Sequence, residues 1–331
     1  MFNQSLEGVH LPCSLQSLTL GCEFNQSLRQ VSFPPSLEEL TLSRDFNKSL
    51  QLVDFPESLR CLTLGFAFNR TLDRVKFPDS LQSLTLGFQF NQRLLDVKWP
   101  SNLLRLTFGH MFNQSLDSTH LPKSLQSLTF GQQFNQSLDS THLPKSLQSL
   151  TFGQEFNQSL VDVMLPPGLQ NLTFGYKFNQ ELEKVKLPAR LQVLVFGWDF
   201  DQRMDWICLP QNLQHLTFGF KFNQPLERVQ WPNLLSLSFG YMFNQSLEGV
   251  HLPCSLQSLT FGELFCQSLR NVTGIFQWCF RLISGQWAQP GGNIIPQKTY
   301  SNRGFQLSAM VQGWSGPVFV GSYTRYLLLE S

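Results

Sequence analysis

Charge is scarce in this chain and nearly cancels. Of 331 residues only 14% are charged, 24 basic against 23 acidic, for a net charge of +1. So balanced a composition offers no footprint for a phosphate backbone or an anionic lipid surface, and nucleic acid is not an expected partner. No apolar run reaches the roughly 18 residues that a membrane span needs. The opening MFNQSLEGVH has neither the basic region nor the apolar core of a signal peptide, so the expectation is a cytoplasmic protein that does not enter a membrane. Seven cysteines (Cys13, Cys22, Cys61, Cys208, Cys254, Cys266, Cys279) contain no CxxC pair, and an odd number suits reduced thiols better than a disulfide framework. A phosphate-binding glycine loop and a cluster of metal ligands are missing too, and GWSGP at 313–317 lacks the closing glycine of a nucleophile elbow. The chain is therefore read as a non-enzyme without a cofactor.

What the sequence does contain is repetition. FNQSLDSTHLPKSLQSLTFGQ at 112–132 recurs letter for letter at 134–154. Looser copies begin at Phe2, Phe24, Phe46, Phe68, Phe90, Phe156, Phe178, Phe200, Phe222 and Phe243, always 22 residues apart except for one step of 21 after Phe222. Twelve complete units thus fill residues 2–264, which replaces the prior of two ordinary domains with one elongated array and a tail. We divide the chain into a solenoid at 1–274 and a C-terminal cap or tail of no recognised family at 275–331.

Counting positions 1 to 22 from the first Phe of a unit, the apolar columns are 1, 5, 8, 10, 14, 17 and 19. Positions 16 to 19 alternate polar and apolar, as in Ser127, Leu128, Thr129 and Phe130, which is the period of a half-buried strand. A sustained 3.6-residue period is absent and proline stands at position 11 of every unit, so no helix is expected in the array. Each strand should pair in parallel with its copies in adjacent units, and at about 4.8 Å per step twelve units would make a rod roughly 58 Å long. Glycine at position 20, with Ser43 as the exception, is expected to end the strand through a positive φ or a close backbone approach. A single unit buries too little to fold alone, so stability should be shared along the stack.

Position 2 carries Asn3, Asn25, Asn47, Asn69, Asn91, Asn113, Asn135, Asn157, Asn179, Asp201, Asn223 and Asn244. Stacked at the strand spacing, these side chains can bond loop backbone and the next Asn amide, and we read the column as an asparagine ladder. The opening Phe-Asn, the Leu-Pro step, the two strand leucines and the closing Phe-Gly, seen as Phe112-Asn113, Leu121-Pro122, Leu125, Leu128 and Phe130-Gly131, resemble the FNIP repeat, a 22-residue variant of the leucine-rich repeat. The resemblance covers residues 2–264. It implies an all-β, leucine-rich-repeat-like solenoid of twelve repeats with a parallel sheet face and an Asn ladder, followed by a small irregular or β C-terminal region. It also implies a protein-interaction role, since members of that family often carry an F-box that docks them to a ubiquitin ligase. Only Met1 precedes Phe2, so in that alternative the chain is a substrate-recognition subunit whose F-box lies outside it.

Position 21 is the column that points to a partner. It holds Phe66, Phe88 and His110, then Tyr176, Trp198, Phe220 and Tyr241 in four successive units. Facing solvent, such a row would anchor a protein of unknown identity, since aromatic side chains dominate binding hot spots; facing inward, it would be a second buried column beside the position-1 Phe. Arg44, Gln132, Gln154 and Glu263 at the same position show that the site tolerates water. The Ser and Thr columns at positions 16 and 18, as in Ser127 with Thr129, are similar to the hydroxyl arrays of ice-binding solenoids, a third reading interrupted by Glu39, Cys61, Arg105, Asn171, Val193 and His215. His10, His120, His142 and His251 share position 9 with Lys, Ser, Asp and Met, which marks a tolerant surface column rather than a metal site. At the ends, the apolar run 275–283 is expected to cover the last coil, with short strands in 305–311, 318–321 and 326–329. The first unit has no such cover, so self-association through its open edge is a further expectation.

Overall fold

In a computed structural model of the chain, residues 2–117, 119–269 and 272 are described together with the strand 306–308. The expected cap at 275–283 and the short strands at 318–321 and 326–329 lie outside the described residues. Each repeat contributes one three-residue strand at positions 16 to 18, from β1 (Ser17–Thr19) to β12 (Ser258–Thr260), and among the described residues there is no helix. All twelve strands follow one another in a single parallel sheet, and β13 (Gln306–Ser308), within the expected strand segment 305–311, closes its far edge antiparallel to β12.

Register is locked residue to residue: Ser127 pairs with Ser149, Leu128 with Leu150 and Thr129 with Thr151. Where the repeat is one residue short the register survives, with His215 opposite Ser236. The missing residue is taken out of the turn after the proline. In other units the position-14 N–H donates to the position-11 proline carbonyl, as Leu213 does to Pro210 at 3.0 Å, whereas Leu234 donates to Pro232 at 2.8 Å across a turn one residue tighter.

The core consists of side-chain columns that run the length of the stack. Every position-1 phenylalanine from Phe24 to Phe243 is fully buried. Its rings stack on one another at 6.4 Å for Phe24 and Phe46 and 6.0 Å for Phe112 and Phe134. From the fifth unit on, a second phenylalanine at position 19 joins them, with Phe108 at 4.0 Å from Phe112. The first four units carry leucine there, and the second to fourth place Phe33, Phe55 and Phe77 at position 10 instead. At position 8 the isosteric Thr119 and Thr141 replace valine; both are buried, and neither hydroxyl has a hydrogen-bond partner among the described residues.

These spacings are not uniform across the coil, and the difference gives the molecule its shape. Strands pair at about 4.8 Å, position-19 rings recur at 5.6 Å (Phe130 to Phe152) and position-1 rings at 6.1 Å (Phe134 to Phe156). Equivalent side chains in equivalent rotamers are displaced by the local repeat step, so the coils fan apart away from the sheet. The stack is therefore curved rather than a straight rod, and the strands line its inner side.

Candidate functional site

Position 21 follows the strand by three residues, in the corner that leaves the inner face. The corner is held by its own ladder of backbone bonds. The N–H of Asp199 donates to the carbonyl of Tyr176 at 2.8 Å, that of Lys221 to Trp198 at 2.9 Å and that of Met242 to Phe220 at 2.9 Å. Main chain fixed in this way must present successive position-21 side chains one above another.

They form two ridges. Phe66 lies 4.4 Å from Phe88, which lies 4.3 Å from His110. After Gln132 and Gln154, Tyr176 stacks on Trp198 at 5.2 Å, Trp198 on Phe220 at 3.8 Å and Phe220 on Tyr241 at 4.7 Å. The alternative of a second buried column does not hold: Phe66, Phe88, Tyr176, Trp198 and Tyr241 are 37–43% exposed, and Phe220 is partly exposed. Stacking within each ridge is close to parallel, 3° for Trp198 on Phe220, so interior rings cover one another's faces and turn their edges to solvent. Phe66 and Phe88 are brought together with His110, and the other four with each other, while the two groups stay apart.

Position 22 runs beside the ridges and carries a pattern of charge that a repeat-by-repeat reading of the sequence can find. Glu155, Lys177, Asp199 and Lys221 alternate in sign at 22-residue spacing. In space Lys177 Nζ reaches Glu155 at 2.5 Å and Lys221 Nζ reaches Asp199 at 2.7 Å. The hydrogen bond to Glu155 holds Lys177 above lysine's ordinary range, and that to Asp199 does the same for Lys221. The second ridge is thus bordered by charges that neutralise each other. The first is closed at its start by a cation, since the Arg44 guanidinium sits 5.6 Å from the Phe66 ring centroid.

The asparagine column is present and works differently from a simple amide chain. Each Oδ1 accepts the main-chain N–H of position 2 in the next unit, as Asn113 does from Asn135 at 2.9 Å. Where the next unit has glutamine at position 3, it also accepts that side-chain amide, as Asn113 does from Gln136 Nε2 at 3.0 Å. That glutamine recurs beside the asparagine in most units, but its role depends on the neighbouring coil and not on its own repeat. The chemistry explains Asp201: only the acceptor is used, and its Oδ1 takes the N–H of Asn223 at 2.8 Å and the amide of Gln224 at 3.0 Å.

Among the described residues no group of three His, Cys, Asp or Glu is placed to hold a metal ion, and no helix is long and apolar enough to cross a membrane. Cys13, Cys22, Cys61, Cys208, Cys254 and Cys266 are free thiols, and partial burial raises the Cys61 pKa. A shallow hollow of about 360 Å³ beside the early strands is lined by Glu38, Arg60, Gln82 and their neighbours. The Arg60–Glu38 contact there, at 3.6 Å, is exposed on both sides and contributes little.

Comparison with known proteins places these features. The sequence profile of the FNIP Repeat matches residues 2–45, 46–89, 90–133, 134–177, 178–221, 206–242 and 222–264. Among solved structures the chain is similar to CroV588, described as a novel circular LRR protein, with 38% identity, a TM-score of 0.67, and coverage of 82% of this chain and 47% of that one. The chain thus spans about half the length of that relative. It is also similar to YopM from Yersinia enterocolitica WA-314, with 21% identity, a TM-score of 0.42, and coverage of 78% of this chain and 64% of that one. No curated protein sequence matches the chain.

Proposed function

We propose that this chain, which belongs to the FNIP repeat family, is a non-catalytic scaffold that holds a protein partner against the inner side of its curve. The observation that carries this reading is the exposure of the position-21 rings, 38% for Trp198 and 43% for Tyr176, in a molecule whose position-1 and position-19 phenylalanines from Phe24 to Phe261 are buried. Folding supplies a reason to bury aromatic rings, not to leave them stacked in the open. Apolar edges on a surface of balanced charge fit an apolar patch of another protein. They do not fit a sugar, which needs ring faces, and the interior faces here are taken. The narrower reading, a substrate-recognition subunit of a ubiquitin ligase, gains no support from any residue of this chain. An ice-binding face would need a flat hydroxyl array, whereas these Ser and Thr columns line a concave sheet crossed by Arg105 and His215. A cytoplasmic location belongs to the same proposal.

The test is affinity capture from the source cells with the wild-type chain and with Tyr176→Ala combined with Trp198→Ala. Because both side chains are exposed, the double variant should keep its circular dichroism and melting temperature within a few degrees and lose its partner. If partner and fold disappear together, the column is structural. If the partner stays, it binds elsewhere.

A further inference from the structure

We infer that the last ring of the second ridge, with Glu263 beyond it, is a socket for an arginine side chain of the partner. The inference rests on the reading of the ridge as a binding surface and adds the chemistry of one contact.

Inside a stack each ring has a neighbour on both faces; the end rings do not. At the start of the first ridge, the outer face of Phe66 is covered by the Arg44 guanidinium from the preceding unit of the same column. At the end of the second ridge, Tyr241 has Phe220 on one face at 4.7 Å, and the next residue of the column is Glu263. A carboxylate cannot do what Arg44 does, because the π face is the negative part of the ring's quadrupole and attracts cations. The tyrosine face and the carboxylate both call for positive charge from outside.

Nothing nearby supplies it among the described residues. The lysines beside this ridge are engaged, Lys177 with Glu155 and Lys221 with Asp199, and Glu263 is exposed without an ion pair. The residues that follow Tyr241 and Glu263 in the chain are apolar and open to solvent, Met242 and Leu264 being exposed by 39% and 45%. Their main chain is held in place, since the N–H of Leu264 donates to the Tyr241 carbonyl at 3.2 Å. An aliphatic stem packs on such a floor while its charged head reaches the ring and the acid. Guanidinium fits both at once: it is planar, so it stacks on an aromatic face, and its N–H groups meet a carboxylate in its own plane. Arg44 on Phe66 is the same contact made within the chain.

The full chain would be titrated with N-acetyl-L-arginine amide while the Tyr241 ring resonances are followed by NMR, with N-acetyl-L-citrulline amide as the uncharged isostere and N-acetyl-L-lysine amide as the ammonium arm. Arginine should shift the Tyr241 signals saturably, lysine more weakly and citrulline not at all. Glu263→Gln should weaken arginine binding about fivefold or more. Glu263→Arg, which supplies the cation from within, should abolish it. All these side chains are on the surface, and unchanged circular dichroism would confirm that the variants fold. A citrulline shift equal to that of arginine, or arginine binding untouched by Glu263→Gln, overturns the socket, as does the absence of any shift. Because the probe is small, such a result stands even where capture shows the ridge to hold a partner, and a failed capture overturns the ridge reading whatever the titration gives.

Discussion

From the third unit on, a methyl group placed at position 20 would have nowhere to go. Built on Gly153, a Cβ falls 1.8 Å from the carbonyl oxygen of Gly131 and 2.5 Å from its carbon, and Gly131 stands in the same relation to Gly109. The obstruction is backbone, flanked on both sides by inter-unit hydrogen bonds, so it does not yield as a side chain would. Close approach, not a positive φ, is what glycine provides here: the glycines with positive φ among the described residues are Gly8 and Gly249, at another corner with open space around them. The two cases separate in one experiment. Gly153→Ala should cost about 3 kcal/mol or more, as overpacking that the neighbours cannot relieve. Gly8→Ala should cost about 1 kcal/mol, the left-handed penalty alone. Urea unfolding of both variants decides it, and a loss at Gly153 no larger than at Gly8 would mean that coils separate more easily than the ladders imply. Leu52 and Arg74 already bear that smaller strain at the same corner as Gly8, with φ of 63° and 61°.

At the scale of one coil, the corner opposite the proline is held by an acceptor. Asn135 Oδ1 takes the N–H of Asn157 at 2.9 Å and the amide of Gln158 at 3.0 Å. Asn135→Asp keeps both, as Asp201 does in its own unit, and should leave stability nearly unchanged. Asn135→Leu strips both donors of their partner in a half-buried corner and should cost about 2 kcal/mol. Hydrogen exchange reads the difference at one site: the Asn157 amide should stay protected in the aspartate variant and exchange faster in the leucine variant. Equal protection in the two would show that the ladder is incidental. Much of this element was legible in the sequence, because a fixed 22-residue period turns each position into a column and each column into a statement about burial. The strand at positions 16 to 18, the phenylalanine columns and the asparagine corner all follow from that. The acceptor's second partner did not, because Gln136 and its equivalents read as ordinary surface polar residues until the next coil is laid on top. Nor did the exposure of Trp198 or the bend of the stack, which depend on how far neighbouring coils tilt. A one-dimensional pattern is the same for a rod and an arc.

The whole molecule is a sum of coils and the contacts between them, and its sequence supplies an unusually clean way to take one term out. Units six and seven are identical over 112–132 and 134–154, so deleting residues 112–133 sets unit seven against unit five. Unit five then meets the residues it meets now, with Arg105 opposite a serine and Leu106 opposite a leucine as in the present pairing with Ser127 and Leu128. Unit seven keeps its own contact with unit eight through Ser149 and Asn171. Apart from position 22, where Glu155 takes the place of Gln133 beside His110, no new interface is made, and only the contact between two like coils is lost. In a nearest-neighbour stack the shortened chain should therefore fold, unfold in the same single step, and show a denaturant m-value smaller by roughly one twelfth, in proportion to the surface it no longer buries. Both aromatic ridges survive intact and come one repeat step closer. A partner that touches a single ridge should bind the shortened chain as before, whereas a rigid partner spanning Phe88 and Trp198 should lose most of its affinity, because a linkage that no longer matches its span forfeits the second contact. Loss of cooperative unfolding would instead show that coils cooperate beyond their neighbours, through the bend they share.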